Sequence, residues 1–259
     1  MIYFKTKDEI EKIRYSSLLV GKTLAEVSKF IRPGVKTITL DKLAEEFIHS
    51  YHAVPAFKGY RNYPATLCIS LNNQVVHGIP GDNELSEGDI VSVDCGVLMD
   101  GFYGDSAYTF EVGEVDEKTR NLLRITKESL YKGIEQAIAG KRLGDIGNAI
   151  QRHVEGFGYS PVRDLVGHGI GRKLHEKPEV LNYGKSGTGV KLQEGLVIAI
   201  EPMINMGKYQ VVQENDGWTV RTVDGLPSAH FEHTVSVMKG KADILSSFSE
   251  IEEVLNKTS

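Results

Sequence analysis

"LSEGDIVSVD" at residues 85–94 and "LQEGLVIAIE" at residues 192–201 follow one pattern. Each begins with Leu-x-Glu-Gly, continues into a β-rich apolar run and ends with an acidic residue, Asp94 in the first stretch and Glu201 in the second. A single match of this kind could be chance, since turns before strands often carry Glu-Gly. The shared terminal acid favours an internal duplication in which Asp94 and Glu201 occupy equivalent places.

The helical patterns around these stretches repeat in the same order. Thr6 and Glu9 have capping-box spacing and open a helix that is predicted to end near Pro33-Gly34. A second helical pattern and then strand-like runs follow it. Residues 117–156 restart with two helical patterns that Gly140 separates. We therefore expect an α+β fold built from two related halves.

The chain length and composition suit one catalytic domain. Its 259 residues are 41% hydrophobic and 25% charged, which permits a sizeable core. Because no Pro-, Gly- or Ser-rich linker separates the halves, about residues 1–115 and 116–250, they should share one core with the site on their seam. The closing stretch "SSFSEIEEVLNKTS" is only weakly amphipathic, and we expect a frayed C-terminal tail there.

Charge and cysteine usage exclude several classes of protein. The net charge of -5 comes without a long basic run, so nucleic acid is not the expected substrate. No apolar run approaches the roughly 20 residues that span a bilayer. The two cysteines, Cys68 and Cys95, lack metal-type spacing and suggest neither a disulfide framework nor a zinc finger. The cytoplasm is the expected compartment.

Two acids lie in the predicted hairpin "DCGVLMDGFYGDSAYTF" at residues 94–110. If Asp100-Gly101 forms a two-residue turn, residue 94 pairs with 107 and residue 96 with 105. Alternation then places Asp94 and Asp105 on one face. The alternative interpretation is a strand that turns this polar face to water, but the flanking apolar residues indicate burial. Two like charges in an interior require a cation between them.

Further candidate ligands occur in similar settings. Glu201 closes an apolar run, and Glu232 lies in the β-rich stretch "SAHFEHTVSV". His168 lies between Gly167 and Gly169, where backbone must pass close to a neighbour. A phosphate loop is the competing interpretation, but the G-x-G-x-x-G spacing and the Walker lysine are missing. His77 lies where a strand leads into a glycine-proline turn, a setting similar to that of His168. Five further histidines are assigned to structural or supporting positions, namely His49, His52, His153, His230 and His233.

The predicted donor set is rich in oxygen. Two aspartates, two glutamates and one imidazole without a thiolate suit Mn, Fe, Co or Zn in a catalytic site. Five ligands exceed the number that one open catalytic metal takes. A pair of ions roughly 3.5 to 4 Å apart, held by bridging carboxylates, would make a shared hydroxide reactive toward a carbonyl or phosphoryl group. Hydrolysis is the chemistry that this set predicts.

Six motifs in order resemble those of the type I methionine aminopeptidases. They are "VVHGIPG", "VDCG", "GDSAYTF", "GHGIGRKLHEKP", "AIEPM" and "FEHT". The similarity extends from the first helix to about Ser246. It implies the pseudo-two-fold "pita-bread" fold, in which helices pack on a curved antiparallel sheet. The short bacterial form is the nearest match, because neither an N-terminal zinc-binding extension nor a long insertion in the second half is seen.

The resemblance also implies roles for individual residues. Two divalent ions, Co, Mn, Fe or Zn, would be held by Asp94, Asp105, His168, Glu201 and Glu232. Asp105 and Glu232 would bridge the ions, and Glu201 would also act as general base. His175 would stabilise the oxyanion, and His77 would contact the scissile amide. Catalysis would thus depend on His77, His175 and Glu201.

Other residues match the positions that bind the substrate in this family. A soft apolar pocket for the methionine side chain would be formed by Tyr60, Tyr63, Cys68, Leu174 and Trp218. Ordinary core or loop packing is the alternative for these residues. Leu174 departs from the aromatic residue of some relatives, which affects the shape of the pocket and not the chemistry. Asn72 and Ser228 match positions that help to bind a monovalent cation.

The implied activity is removal of the initiator methionine from nascent proteins and peptides, with preference for a small second residue. The implied partners are nascent polypeptide N-termini and the ribosome, and the enzyme would be a monomer. One alternative with the same fold is a proline-specific aminopeptidase or prolidase. Another is a non-catalytic scaffold that binds RNA or ribosomes, which the complete set of ligands disfavours.

Overall fold

The computed structural model describes residues 1–258, and it contains helices and antiparallel sheets in the predicted order. The helices are α1 (Lys7–Ser28), α2 (Thr37–Ser50), α3 (Glu117–Ile134), α4 (Leu143–Glu155) and α5 (Ser249–Thr258). The strands before α3 are β1 (Val54–Pro55), β2 (Leu67–Leu71), β3 (Gln74–Val76), β4 (Ile90–Met99) and β5 (Phe102–Glu111). A single 3₁₀ turn, Tyr60–Asn62, lies between β1 and β2.

The strands after α4 are shorter. They are β6 (Ser160–Pro161), β7 (Gly167–Gly169), β8 (Glu176–Val180), β9 (Val197–Ile200), β10 (Met203–Asn205), β11 (Val211–Gln213), β12 (Val220–Thr222), β13 (Ser228–His230), β14 (His233–Ser236) and β15 (Asp243–Ile244). The two largest sheets have the orders β1-β4-β2, with β5 on β4, and β15-β14-β9-β7-β8. All ladders between these named strands of residues 1–258 are antiparallel. The α+β class is confirmed.

Helix α1 begins as predicted and ends earlier than predicted. The Thr6 hydroxyl accepts a hydrogen bond from the Glu9 amide at 3.3 Å, and the Glu9 carboxylate accepts one from the Thr6 amide at 2.9 Å, which completes the capping box. The helix ends at Ser28 because the amides of Phe30 and Ile31 bond three residues back instead of four. The residues up to Pro33-Gly34 are therefore turns.

The β4–β5 hairpin has the predicted register. Met99 pairs with Phe102, and the same ladder places position 94 opposite 107 and position 96 opposite 105. Asp100 and Gly101 have φ values of 50° and 78°, the left-handed pair that a type I′ turn requires. Asp94 and Asp105 therefore extend from the same face of the hairpin, as the alternation predicts.

Buried hydroxyl groups join β5 to β13, to β14 and to the two-residue segment between them. Ser106 Oγ donates to the carbonyl of Glu232 at 2.6 Å, and Thr234 Oγ1 donates to the carbonyl of Asp105 at 2.8 Å. Thr109 Oγ1 donates to the carbonyl of His230 at 2.7 Å. These bonds satisfy backbone groups where the two halves meet, and they fix two acidic residues on opposite sides of the seam.

One apolar cluster contains residues from both halves. Leu24, Val93 and Phe110 belong to it from the first half, and Ile150 and Ile198 from the second. Each of these five side chains is almost fully buried. The sheets are therefore held rigidly against the helices on one side, which leaves their other faces free to present polar groups.

The C-terminal segment is ordered, which corrects the expectation of a frayed tail. Helix α5 covers Ser249–Thr258 and contacts α1, and Ile251 is fully buried. Phe248 stacks on His233 with ring centroids 3.9 Å apart. Phe248, Ile251 and Leu255 follow one another at helical spacing and belong to or pack on the core, a short apolar face that the polar composition conceals.

No helix among the described residues is long and apolar enough to cross a membrane.

A buried ion pair attaches the N-terminal segment to the strand region that follows His175. Lys5 Nζ lies 2.6 Å from Glu176 Oε2, and both side chains are only 4% exposed. Replacing one partner of a buried pair costs about 3 to 5 kcal/mol, because the other charge stays buried without compensation. We expect Lys5→Met to lower the free energy of unfolding by about that amount in urea denaturation at fixed metal concentration.

The matched control is Lys36→Met, which removes the exposed pair between Lys36 and Asp82. Exposed pairs contribute about 0 to 1 kcal/mol, so this variant should unfold almost as the parent does. The double variant Lys5→Met/Glu176→Met should recover much of the loss. If the Lys5 and Lys36 substitutions lowered the free energy of unfolding equally, burial of the Lys5–Glu176 pair would not be the cause of its larger effect.

Candidate metal centre

The five predicted metal ligands line one cavity, although they come from distant parts of the chain. Asp94 lies on β4, Asp105 on β5 and His168 on β7, while Glu201 directly follows β9 and Glu232 lies between β13 and β14. The ladder between β9 and β14 pairs residue 200 with 233. Continued by one step, this register places Glu201 opposite Glu232, so each half supplies two carboxylates from neighbouring strands.

The ligand atoms lie close together. His168 Nε2 is 3.5 Å from Glu201 Oε1 and 3.8 Å from Asp105 Oδ2. One ligand atom each from Asp105, His168 and Glu232 lies within 4.8 Å of the others. These separations suit donors around a cation and are too long for hydrogen bonds.

Burial raises the pKa of all four carboxyl groups. Desolvation is the largest cause for each group, and it raises the pKa of Asp94 to about 7. It raises the pKa values of Asp105, Glu201 and Glu232 well above their usual range. For these three groups, the neighbouring carboxylates raise the pKa further. Asp94 Oδ1, Asp105 Oδ1 and Glu232 Oε1 are buried without a hydrogen-bond partner among residues 1–258. Divalent cations would supply both the missing partners and the missing positive charge, so the donor set fits them.

His168 is held as a neutral ligand. Its Nδ1 lies 2.9 Å from the carbonyl of Gly169, so Nδ1 carries the proton and donates it, leaving the Nε2 lone pair directed at the carboxylates. Burial lowers the pKa of His168 to about 4. The flanking glycines provide clearance: a Cβ at Gly167 would lie 2.4 Å from the carbonyl oxygen of Ala199, and one at Gly169 2.4 Å from that of Lys177.

The two predicted catalytic histidines, His77 and His175, line the same cavity. His175 Nδ1 is 2.8 Å from the hydroxyl of Tyr60, and its ring centroid is 4.2 Å from that of His168. The residue is exposed as a whole, but desolvation of the ring, with smaller effects of neighbouring cationic groups, lowers the pKa of His175 to about 3. Burial also lowers the pKa of His77, which has a left-handed φ of 60°. Both rings are neutral at pH 7.

The five residues predicted for the methionine pocket also line this cavity, namely Tyr60, Tyr63, Cys68, Leu174 and Trp218. Tyr63 and Trp218 make an edge-to-face contact with centroids 5.0 Å apart. The cavity encloses about 170 Å³. Pockets for drug-sized ligands enclose roughly 300 to 1,000 Å³, so this one suits a single amino-acid side chain.

Several residues that line the cavity were not predicted, namely Phe57, Arg61, Val76, Leu165, Val166 and Met203. Met203 follows Glu201 by two residues, and that spacing on an extended chain could have indicated it. Leu165 and Val166 precede His168 without a local pattern that separates them from core residues.

The two residues predicted to help bind a monovalent cation are adjacent to each other. The Ser228 amide donates to the carbonyl of Asn72 at 2.9 Å. Asn72 Oδ1 accepts from the Ile90 amide at 3.0 Å, and Ser228 Oγ donates to Asn205 Oδ1 at 2.9 Å. Neither residue lines the cavity of the metal ligands. The cation itself stays a prediction.

The other histidines lie outside the predicted ligand set. His233 faces away from Glu232, with Nδ1 2.6 Å from Ser246 Oγ, as strand alternation predicts. His230 lies beside the ligands, with its Nε2 3.8 Å from Glu201 Oε2, which is consistent with a supporting position. His52 lies beyond the end of α2 with a φ of 58°.

Comparison with known proteins defines the class of this site. The model of metallopeptidase family M24 matches residues 11–239. A methionine aminopeptidase from Clostridium perfringens is 53% identical over 246 residues, which cover 95% of this chain and 99% of the relative. The crystal structure of methionine aminopeptidase from Thermotoga maritima is similar with a TM-score of 0.94 and 47% identity, covering 95% of this chain and all of that one.

The centre is thus that of a metallopeptidase. The chain belongs to the methionine aminopeptidases of metallopeptidase family M24. The pita-bread fold that the motifs imply is confirmed by the same comparisons.

A prolidase from Pyrococcus furiosus shares the fold more distantly. It is 25% identical with a TM-score of 0.76, and the aligned region covers 94% of this chain and 65% of the prolidase. The higher identity and fuller coverage of the methionine aminopeptidases favour that branch of the family.

Proposed function

We propose that the protein removes the N-terminal methionine from nascent proteins and peptides by hydrolysis with two divalent metal ions. The observation that carries this proposal is one cavity whose lining contains both five metal-type ligands and a set of apolar and aromatic side chains. We further propose that residues 1–259 form a single catalytic domain with the site between its two halves.

The ions would be held by the carboxylates and the imidazole of the cluster, Asp94, Asp105, His168, Glu201 and Glu232, with Asp105 and Glu232 bridging. When bound, such ions lower the pKa of water and polarise the carbonyl that is attacked. Mn, Fe, Co and Zn all fit this donor set.

The protein's own groups would move and hold the protons. Glu201 would accept a proton from the attacking water, since its carboxylate faces the cavity and lies 3.5 Å from His168 Nε2. Nδ1 of the neutral His175 lies 2.8 Å from the Tyr60 hydroxyl; in the proposed tautomer this hydroxyl would donate to Nδ1, and the proton of the ring would be on Nε2. His175 Nε2–H is then available to donate to the developing oxyanion, and His77 to contact the departing amide.

The shape of the cavity would restrict the substrate. The thioether side chain would enter the apolar end beside Tyr63, Cys68 and Trp218. The free α-amino group would complete the metal shell, which excludes internal peptide bonds. His77 and His175, which line the same cavity, would limit the space beside the second residue, so a small side chain would be preferred there.

Several finer proposals accompany this function. The substrates would be nascent chains that emerge from the ribosome in the cytoplasm, and the enzyme would contact the ribosome and work as a monomer. A monovalent cation would be bound beside Asn72 and Ser228.

The discriminating assay compares Met-Ala-Ser, Met-Leu-Ser and an Ala-Pro peptide with added Mn or Co. We expect rapid release of methionine from Met-Ala-Ser, much slower release from Met-Leu-Ser, and no cleavage of the Ala-Pro peptide. Cleavage of the proline substrate alone would support a prolidase instead. Metal binding without cleavage of any peptide would support a non-catalytic scaffold.

A further inference from the structure

One positively charged side chain, that of Arg61, is among the residues that line the cavity. Arg61 is the only lysine or arginine of that lining, and it is exposed at the mouth. Five other arginines pair with carboxylates, for example Arg14 at 2.6 Å and Arg120 at 3.1 Å. No carboxylate of residues 1–258 lies within ion-pair distance of Arg61. Its charge is therefore available to a molecule that enters the cavity.

Backbone and ring contacts keep this guanidinium at the mouth. Arg61 and Asn62 have φ values of 49° and 70°, a left-handed conformation that non-glycine residues seldom adopt. The Arg61 Cζ lies 5.4 Å from the centroid of the Tyr60 ring, within cation–π range. The Tyr60 hydroxyl is also hydrogen-bonded to His175. Tyr60 therefore lies between the Arg61 guanidinium and the histidine that is proposed to contact the reacting carbonyl.

The distances define which part of a substrate the cation can reach. The rings of Tyr60 and His175 have centroids 5.1 Å apart, and the Arg61 Cζ lies 5.4 Å from the Tyr60 centroid, so this Cζ is at most about 10.5 Å from the centre of the His175 ring. An extended peptide advances about 3.3 Å per residue. A chain leaving His175 would therefore bring its third or fourth residue beside Arg61, where the planar guanidinium can pair with a carboxylate through two hydrogen bonds.

We propose that Arg61 is a specificity-determining residue that favours N-termini with Asp or Glu at the third or fourth position. This proposal rests on the proposed function and names a subclass of its substrates. Aspartate and glutamate would be attracted, and lysine or arginine at these positions would be repelled by the like charge.

The test compares kcat and KM for Met-Ala-Glu-Ala, Met-Ala-Gln-Ala and Met-Ala-Lys-Ala at low salt. We expect kcat/KM to be about five-fold higher for the Glu peptide than for the Lys peptide, which is the size of an exposed ion pair. The difference should appear in KM rather than in kcat and should shrink in 0.5 M salt, at a Debye length of roughly 4 Å.

Three substitutions at Arg61 separate charge from structure. Arg61→Gln should reduce the Glu-to-Lys ratio to below about two-fold, Arg61→Glu should invert it, and Arg61→Lys should retain most of it. Lys58 is the matched control: it is an exposed cation three residues earlier that pairs with Glu45 at 2.6 Å outside the cavity. Lys58→Gln should leave the ratio unchanged.

Equal kcat/KM values for the three peptides in the parent protein would overturn this inference while leaving the proposed function intact. An unchanged ratio in Arg61→Gln would do the same. If none of the Met peptides were cleaved, both the proposed function and this inference would be overturned.

Discussion

Glu201→Gln is expected to lower kcat by about 10²- to 10⁴-fold, the usual contribution of a general base. Glutamine keeps one carbonyl oxygen for a metal ion but cannot accept a proton from water. KM for Met-Ala-Ser should change only a few-fold, because the methionine pocket and both histidines are untouched. Steady-state kinetics with measured metal content per protein would check this expectation.

Glu194→Gln is the matched control, since Glu194 belongs to the same Leu-x-Glu-Gly stretch but pairs with Lys239 at the surface. That variant should retain the kcat of the parent. A Glu201→Gln protein with two bound ions and unchanged kcat would refute the assignment of the base.

In the metal-free protein, the free energy of unfolding is expected to fall as the pH rises from about 7.5 to 8.5. The folded-state pKa of Asp94 is raised to about 7, and those of three other carboxyl groups are raised further, above the unfolded values near 4. The folded state then binds more protons than the unfolded state, and unfolding releases them, so the free energy of unfolding falls as the pH rises. The histidines of the unfolded chain, with pKa values near 6.5, are mostly neutral above about pH 7.5 and do not oppose this trend there.

Metal should reverse this trend, because ions bind the ionised carboxylates and bind more tightly as protons leave. At a free metal concentration 100 times Kd, the stabilisation is about 2.7 kcal/mol. This corresponds to a rise in Tm of roughly 5 to 10 °C for a protein of this size. Thermal unfolding with EDTA and with Mn at several pH values would measure the gap, and a gap that does not widen with pH would contradict the account.

The sequence was most informative where local geometry is rigid. The Asp100-Gly101 turn fixes the hairpin register, so the common face of Asp94 and Asp105 could be derived residue by residue. The L-x-E-G repeat located Glu201 in the second half by analogy with Asp94. His168 was indicated by its glycines, which the structure shows in close contact with neighbouring backbone.

Contacts between distant segments could not be derived in this way. Nothing local in the chain indicates that the hydroxyls of Ser106 and Thr234 join the halves, or that Tyr60 orients His175. Such pairs depend on how the whole sheet curves. Helix α5 was missed because three apolar residues in a polar stretch form a stable face only when a core is already present to receive them.

The roles of the ligands themselves rest on the motif resemblance, and the structure adds their proximity. The burial of Asp105 and Glu232 without partners for one oxygen each is the physical reason to expect cations between them.

Anomalous X-ray diffraction from crystals grown with Mn tests the central claim most directly. The account predicts two anomalous peaks roughly 3.5 to 4 Å apart, each in contact with oxygen atoms of Asp105 and Glu232, one also with Asp94 and the other with His168 and Glu201. A single peak elsewhere, or no peak among these five side chains at saturating metal, would contradict it.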